Sequence, residues 1–187
     1  MSIGIQTGSG LVMLDRNLDG FGIGSIFLNI PMTETLSIKP QLSFIHKKSY
    51  WNNYYFEYMG IQYHAQDARL WRNYSFNISL NSKISENSYF GIGVSAEHIR
   101  IHSIDHEKDS FALEYPDYVD ITGTEVRESF VKPAAFITGT GFIKLNENWA
   151  FIVESQIKFI FIGGKYGDFG DKKVFCTALI GFGYGIR

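Results

Sequence analysis

The chain has 187 residues, a formal net charge of −2, and 19% charged against 16% aromatic residues. That length is one domain's worth, the near-neutral charge leaves no electrostatic footprint for nucleic acid, and 45% hydrophobic content excludes disorder. A single cysteine, Cys176, rules out an intrachain disulfide framework and a Cys-rich zinc site, and no apolar run approaches the ~18 residues of a membrane-spanning helix.

Ile outnumbers Leu 23 to 11 and Gly counts 19, a composition that leans toward strands before any pattern is read. Met1 to Gly10 has neither the basic nor the apolar region of a secretory signal. Strands with weak alternation are expected at Ser2 to Val12 and Phe21 to Ile30. From Leu36 to Phe44 the period of two is clear: Leu36, Ile38, Pro40, Leu42 and Phe44 oppose Ser37, Lys39, Gln41 and Ser43. Tyr74 to Asn81 is the cleanest case, with Tyr74, Phe76, Ile78 and Leu80 opposed to Ser75, Asn77, Ser79 and Asn81. Phe90, Ile92, Val94 and Ala96 oppose Gly91, Gly93, Ser95 and Glu97, and a weaker strand follows at Phe130 to Ile143. Trp149 to Phe161 places Glu154, Gln156 and Lys158 on one face, and the last strand sets Val174 through Tyr184 against Thr177, Leu179 and a row of glycines.

Eight strands result, and the connections alternate in length. The stretches Ser49 to Arg69 and His102 to Glu128 are long and expected to be loops, whereas Pro31 to Glu34, Ser82 to Asn87 and Lys144 to Asn148 are short. Short turns on one side and longer loops on the other are the signature of an outer-membrane barrel. Tyr54 to His64 could form a further strand. A ninth strand would break the even count of bacterial single-chain barrels, so it is assigned to the outer loop, as a hairpin above the membrane.

An eight-stranded barrel is either a soluble lipocalin-like cup with its greasy face inside or a membrane barrel with it outside. The polar face carries the small residues a narrow lumen demands, together with Lys39, Glu97, Glu154 and Lys158, while the bulky side chains share the other face. A charge against hydrocarbon would cost roughly 2–4 kcal/mol at the midplane, so the apolar face is assigned outward. Trp149, Tyr89, Phe90 and Tyr184 are expected as an aromatic girdle near the short turns, and Tyr50, Trp51, Tyr54, Tyr55, Trp71 and Tyr74 as its counterpart near the loops.

The blocks YSFNISLNSKISENSYFGIGV and FITGTGFIKLNENWAFIVESQIKF, closed by ALIGFGYGIR, resemble the small eight-stranded outer-membrane barrel domains related to OmpA-like and PorT-like proteins. The resemblance spans the whole chain and rests on strand rhythm and Gly-aromatic texture, not on a catalytic motif. It implies a single all-β domain over residues 1–187, an eight-stranded antiparallel up-and-down transmembrane β-barrel in a bacterial outer membrane. The chain departs from the pattern at its end, Gly185-Ile186-Arg187, where such proteins commonly finish on an aromatic residue.

Three constellations could carry chemistry. Lys39, Gln41, Glu97, Glu154, Gln156 and Lys158 share the inward face and are expected to pair into a polar plug, because unpaired buried charge is expensive. His98, His102 and Ser103, with Glu97, offer bases, a hydroxyl and a carboxylate near the rim; lipid A deacylases of this barrel size use a His and a Ser there. The adjacency of His102 and Ser103 departs from that pattern, and a metal site at His102 and His106 is weaker still. Asp105, Glu107, Asp109, Glu114, Asp117 and Asp120 make the second long loop anionic, suited to a basic extracellular protein or to cations at a lipopolysaccharide surface. The S-x-x-K string at Ser155 puts its two residues on opposite faces of a strand, and the G-x-G strings precede no helix. The expectation is a monomeric, non-enzymatic surface protein without cofactor or metal, bound to outer-membrane lipid and lipopolysaccharide.

Overall fold

A computed structural model describes residues 1–14, 17–58, 61–108, 125–161 and 174–185. They form eight strands: β1 (Ser2–Leu14), β2 (Asn17–Pro31), β3 (Leu36–Tyr58), β4 (Ile61–Ser85), β5 (Ser88–Lys108), β6 (Glu125–Lys144), β7 (Trp149–Ile160) and β8 (Val174–Gly185). Each strand pairs antiparallel with its neighbours in sequence, and β1 pairs with β8 from Ser2↔Gly185 to Met13↔Val174, closing the barrel. Closure removes both sheet edges, so no row of backbone donors and acceptors faces hydrocarbon.

The tight turns at one end are set by side chains. Thr33 Oγ1 accepts from Leu36 N at 3.0 Å between β2 and β3, and Asn146 Oδ1 accepts from the backbone N of Asn148 and Trp149, both at 2.9 Å, between β6 and β7. Such local side-chain bonds satisfy amides that a two-strand reversal would leave unpaired.

The long outer connections are shorter than their composition implies. Ser49 to Arg69 continues β3 and β4 as one paired hairpin, from Ser49↔Arg69 to Tyr58↔Ile61, with a bulge between Trp51 and Asn53. The aromatic run around Tyr54 to Tyr63 favours strand, and with two long strands already adjacent it extends their ladder without adding a ninth. His102 to Glu128 likewise gives seven positions to β5, which runs to Lys108, and four to β6, which starts at Glu125.

The alternation of faces maps onto the wall. Ile5, Ile26, Leu42, Phe76, Ile78, Phe90, Val94 and Ile180 are exposed outward, while Lys39, Gln41, Asn77, Glu97, Glu154 and Gln156 are buried inside. Phe76, Ile78, Phe90 and Ile180, which would line the cavity of a soluble cup, instead stand on the convex surface, so that alternative is reversed. On β4 the outward apolar run from Ile84 to Tyr74, interrupted by Ser82, covers ten residue steps, roughly 33 Å along the strand and about 25 Å along a membrane normal at ~40° tilt. That matches the height of a hydrocarbon band.

Candidate functional site

Two ion pairs fill the middle of the lumen. Lys39 on β3 reaches across to Glu154 on β7, whose Oε2 also accepts from Gln6 Nε2 at 3.1 Å. Gln41 Nε2 continues the chain of contacts by donating to Ser25 Oγ at 3.1 Å and Gln6 Oε1 at 3.3 Å. Lys158 Nζ, also from β7, donates to Glu97 Oε1 and Asn77 Oδ1, each at 2.7 Å. Glu97 is completely shielded from solvent, and its second oxygen accepts from Asn73 Nδ2 at 2.6 Å and from Ser75. The two ammonium groups lie over aromatic rings, Lys39 at 4.4 Å from the Phe27 centroid and Lys158 at 5.6 Å from that of Phe136. Gln156 shares the buried face but donates to none of these groups through Nε2 among the described residues.

Above this layer the inward face turns apolar. Ile45 follows Ser43 on β3, Trp71 follows Asn73 on β4, Ile99 and Ile101 follow Glu97 on β5, and Ile160 follows Lys158 on β7. Phe21, Trp71 and Phe175 form a three-ring cluster with centroids 5.3–5.9 Å apart, and these residues close the outer end of the lumen. At the opposite end Tyr89 packs edge-on against Phe142 at 5.5 Å. Trp71 and Tyr89 were expected in the girdles, and the structure turns both inward. Their numbers carry the signal: Trp71 has the parity of Asn73 and Tyr89 that of Gly91, so nearness to an interface was the wrong criterion and alternation the right one. Trp149 and Tyr184 do stand outside, in edge contact at 5.1 Å. The side chains of Tyr50, Trp51, Tyr54 and Tyr55 lie outside those described.

The residues suspected of catalysis are divided by the wall. Glu97 points into the lumen, whereas His98 and His102 have the outward parity of β5. Continuous pairing of His102 with Leu70 and of Ser103 with Arg69 keeps the two in consecutive strand positions; the Ser103 side chain lies outside those described. One pair escaped the sequence reading: His98 Nε2 lies 3.0 Å from Ser129 Oγ on β6. That nitrogen is shared with Arg100 Nε at 3.5 Å, and among the described residues no carboxylate hydrogen-bonds the imidazole, so the pair lacks the third group that orients a catalytic base. No cluster of three metal-ligating side chains occurs among the described residues. Asp105 and Glu107 fall on β5, but their side chains, those of His106, and residues Asp109, Glu114, Asp117 and Asp120 lie outside the described set.

No family model and no curated protein sequence matches the chain. Solved structures do. Ail, the attachment invasion locus protein of Yersinia pestis, solved in complex with the heparin analogue sucrose octasulfate, superposes with a TM-score of 0.59 at 14% identity, over 98% of this chain and 95% of that one. Neisserial surface protein A superposes with a TM-score of 0.61 at 7% identity, over 99% and 96%. The chain therefore has the fold of the small eight-stranded outer-membrane barrels, over its whole described length.

Proposed function

We propose that this barrel is a sealed, non-enzymatic pedestal, monomeric in the outer membrane, that presents its β3–β4 hairpin and its acidic β5–β6 connection to the cell exterior. The observation that carries this reading is the filled lumen. Two ion pairs and their hydrogen-bonded neighbours occupy its middle, and the Phe21, Trp71 and Phe175 cluster closes it above, so the interior is occupied by side chains across its width. A wall that conducts nothing and carries no catalytic constellation among its described residues leaves the exposed ends to act. Ail, which shares the fold, was solved with a sulfated sugar; here the acidic run from Asp105 to Asp120 favours the opposite ligand charge, a basic protein surface or cations.

The test has two arms. Cells displaying the protein should adhere to a surface coated with a cationic polypeptide, and adhesion should fall when Asp109, Asp117 and Asp120 become Asn and Glu114 becomes Gln. In planar bilayers the purified protein should give no stepwise conductance. Equal adhesion of both cell types would remove the surface-binding role, and discrete open-channel steps would remove the sealed barrel.

A further inference from the structure

The outward wall of β2 to β6 is organised in cross-strand rows, and their order from the membrane centre outward is chemically directional. The lowest joins Ile26, Leu42, Phe76 and Ala96. The next joins Gly24, Phe44, Tyr74, His98 and Val131, with ring centroids 5.1 Å apart for Phe44 and Tyr74 and 6.1 Å for Tyr74 and His98. These two rows line an open apolar groove of about 700 Å³, widened where Gly24 presents no side chain. The third row joins Gly22, His46, Arg72, Arg100 and Ser129. Arg72 and Arg100 are neighbours on adjacent strands, both exposed, and they line a second concavity of about 570 Å³ with His102 and Arg127 above them. Glu128, half-buried, is the one carboxylate lining it among the described residues.

The level of this basic row is fixed by the apolar run beneath it. Tyr74 ends the outward run of β4, about 25 Å above Ile84, so Arg72 and Arg100 stand where hydrocarbon gives way to headgroups in the outer leaflet. Two guanidinium groups on adjacent strands, one spacing of roughly 5 Å apart at the backbone and directly above an apolar groove, are complementary to an anionic lipid. Its head must carry phosphate, to which Arg127 one row higher adds a further cationic contact, and its tails must descend along the wall.

We infer that the β2–β6 wall binds one phosphorylated, multiply acylated glycolipid of the lipid A type, with Arg72 and Arg100 on its phosphates and an acyl chain in the groove between Gly24 and Ala96. The inference rests on the outer-membrane reading and names a ligand for it. Arginine suits the role because its planar fork pairs two phosphate oxygens at once, and because the long stem lets the guanidinium reach the headgroup while the backbone stays in the wall.

The experiment uses the full chain refolded in detergent micelles and titrated with bisphosphorylated lipid A, the same lipid with its phosphates removed, phosphatidylglycerol, and inorganic phosphate. Wild type should bind bisphosphorylated lipid A in preference to the other three. The charge reversal R72E/R100E should weaken that binding roughly tenfold or more, the scale of two charge-assisted contacts at a partly exposed site. Gly24→Phe, at an outward position where an added Cβ meets nothing within 4 Å, should fill the groove and weaken binding while leaving the barrel intact. Equal binding by the R72E/R100E variant, equal affinity for phosphatidylglycerol, or full competition by inorganic phosphate would each overturn the assignment. Mobility on SDS gels with and without boiling separates the two readings. A wild-type chain with no heat-dependent shift removes the membrane barrel itself, whereas a shift retained by variants that still bind removes the lipid site alone.

Discussion

The inner and outer faces of this wall are made by the same strands, yet they respond to opposite errors. Inside, charges meet their partners across the lumen and glycines leave room where another strand's backbone or side chain approaches. Outside, bulky apolar residues stand apart, and glycines such as Gly22 and Gly24 have open space around them. The inner face is therefore intolerant of added volume and of a lost partner, and the outer face of added charge. Burial in a membrane barrel must be judged by which medium a side chain meets, since a residue 47% accessible, such as Phe76, here meets lipid.

The largest expected effect breaks the inner face. Glu97→Leu strips Lys158 of its carboxylate partner and should cost about 3–5 kcal/mol, read by urea unfolding in lipid vesicles, whereas the double change with Lys158→Met should recover most of the loss. A single variant as stable as wild type would show that the pair does not hold the lumen. Next comes the outer face. Ile78→Arg, near the middle of the lipid-facing run of β4, should cost roughly 2–4 kcal/mol in the same assay, and a neutral result would mean that the band is misplaced. The third prediction makes one substitution on both faces. A Cβ on Gly181 would lie 2.0 Å from the Ile5 carbonyl oxygen, so Gly181→Ala should cost about 1–3 kcal/mol by forcing β1 and β8 apart. Gly24→Ala should change stability by less than about 1 kcal/mol, in the stabilising direction, because it relieves the backbone entropy of a glycine within a strand. Similar costs at the two sites would erase the distinction between the faces.

Much of the architecture was legible in the residues. Strand alternation assigned Lys39, Gln41, Glu97, Glu154, Gln156 and Lys158 to a common face, and the structure buries all six. The misplacements share a cause. Distance from a loop puts Trp71 and Tyr89 in the girdles but does not say which side of the wall they face, and an even strand count does not exclude the β3–β4 pairing, because a hairpin that lengthens two existing strands changes no count. The His98–Ser129 contact could not have been found from spacing, since it joins two strands through a register that only pairing establishes.

The faces are legible in the residues alone, because successive side chains on a strand point to opposite sides whatever the strand pairs with. The direction of that choice is legible as well, because small and charged residues on one side and bulky apolar ones on the other have one low-energy arrangement around a narrow tube in lipid. Which charge meets which depends on the closed fold. Lys39 and Glu154 are separated by 115 positions and Lys158 and Glu97 by 61, and neither pair lies on adjacent strands. Those contacts are made across the lumen, so they exist only once the barrel has closed and its register has brought the two levels to the same height.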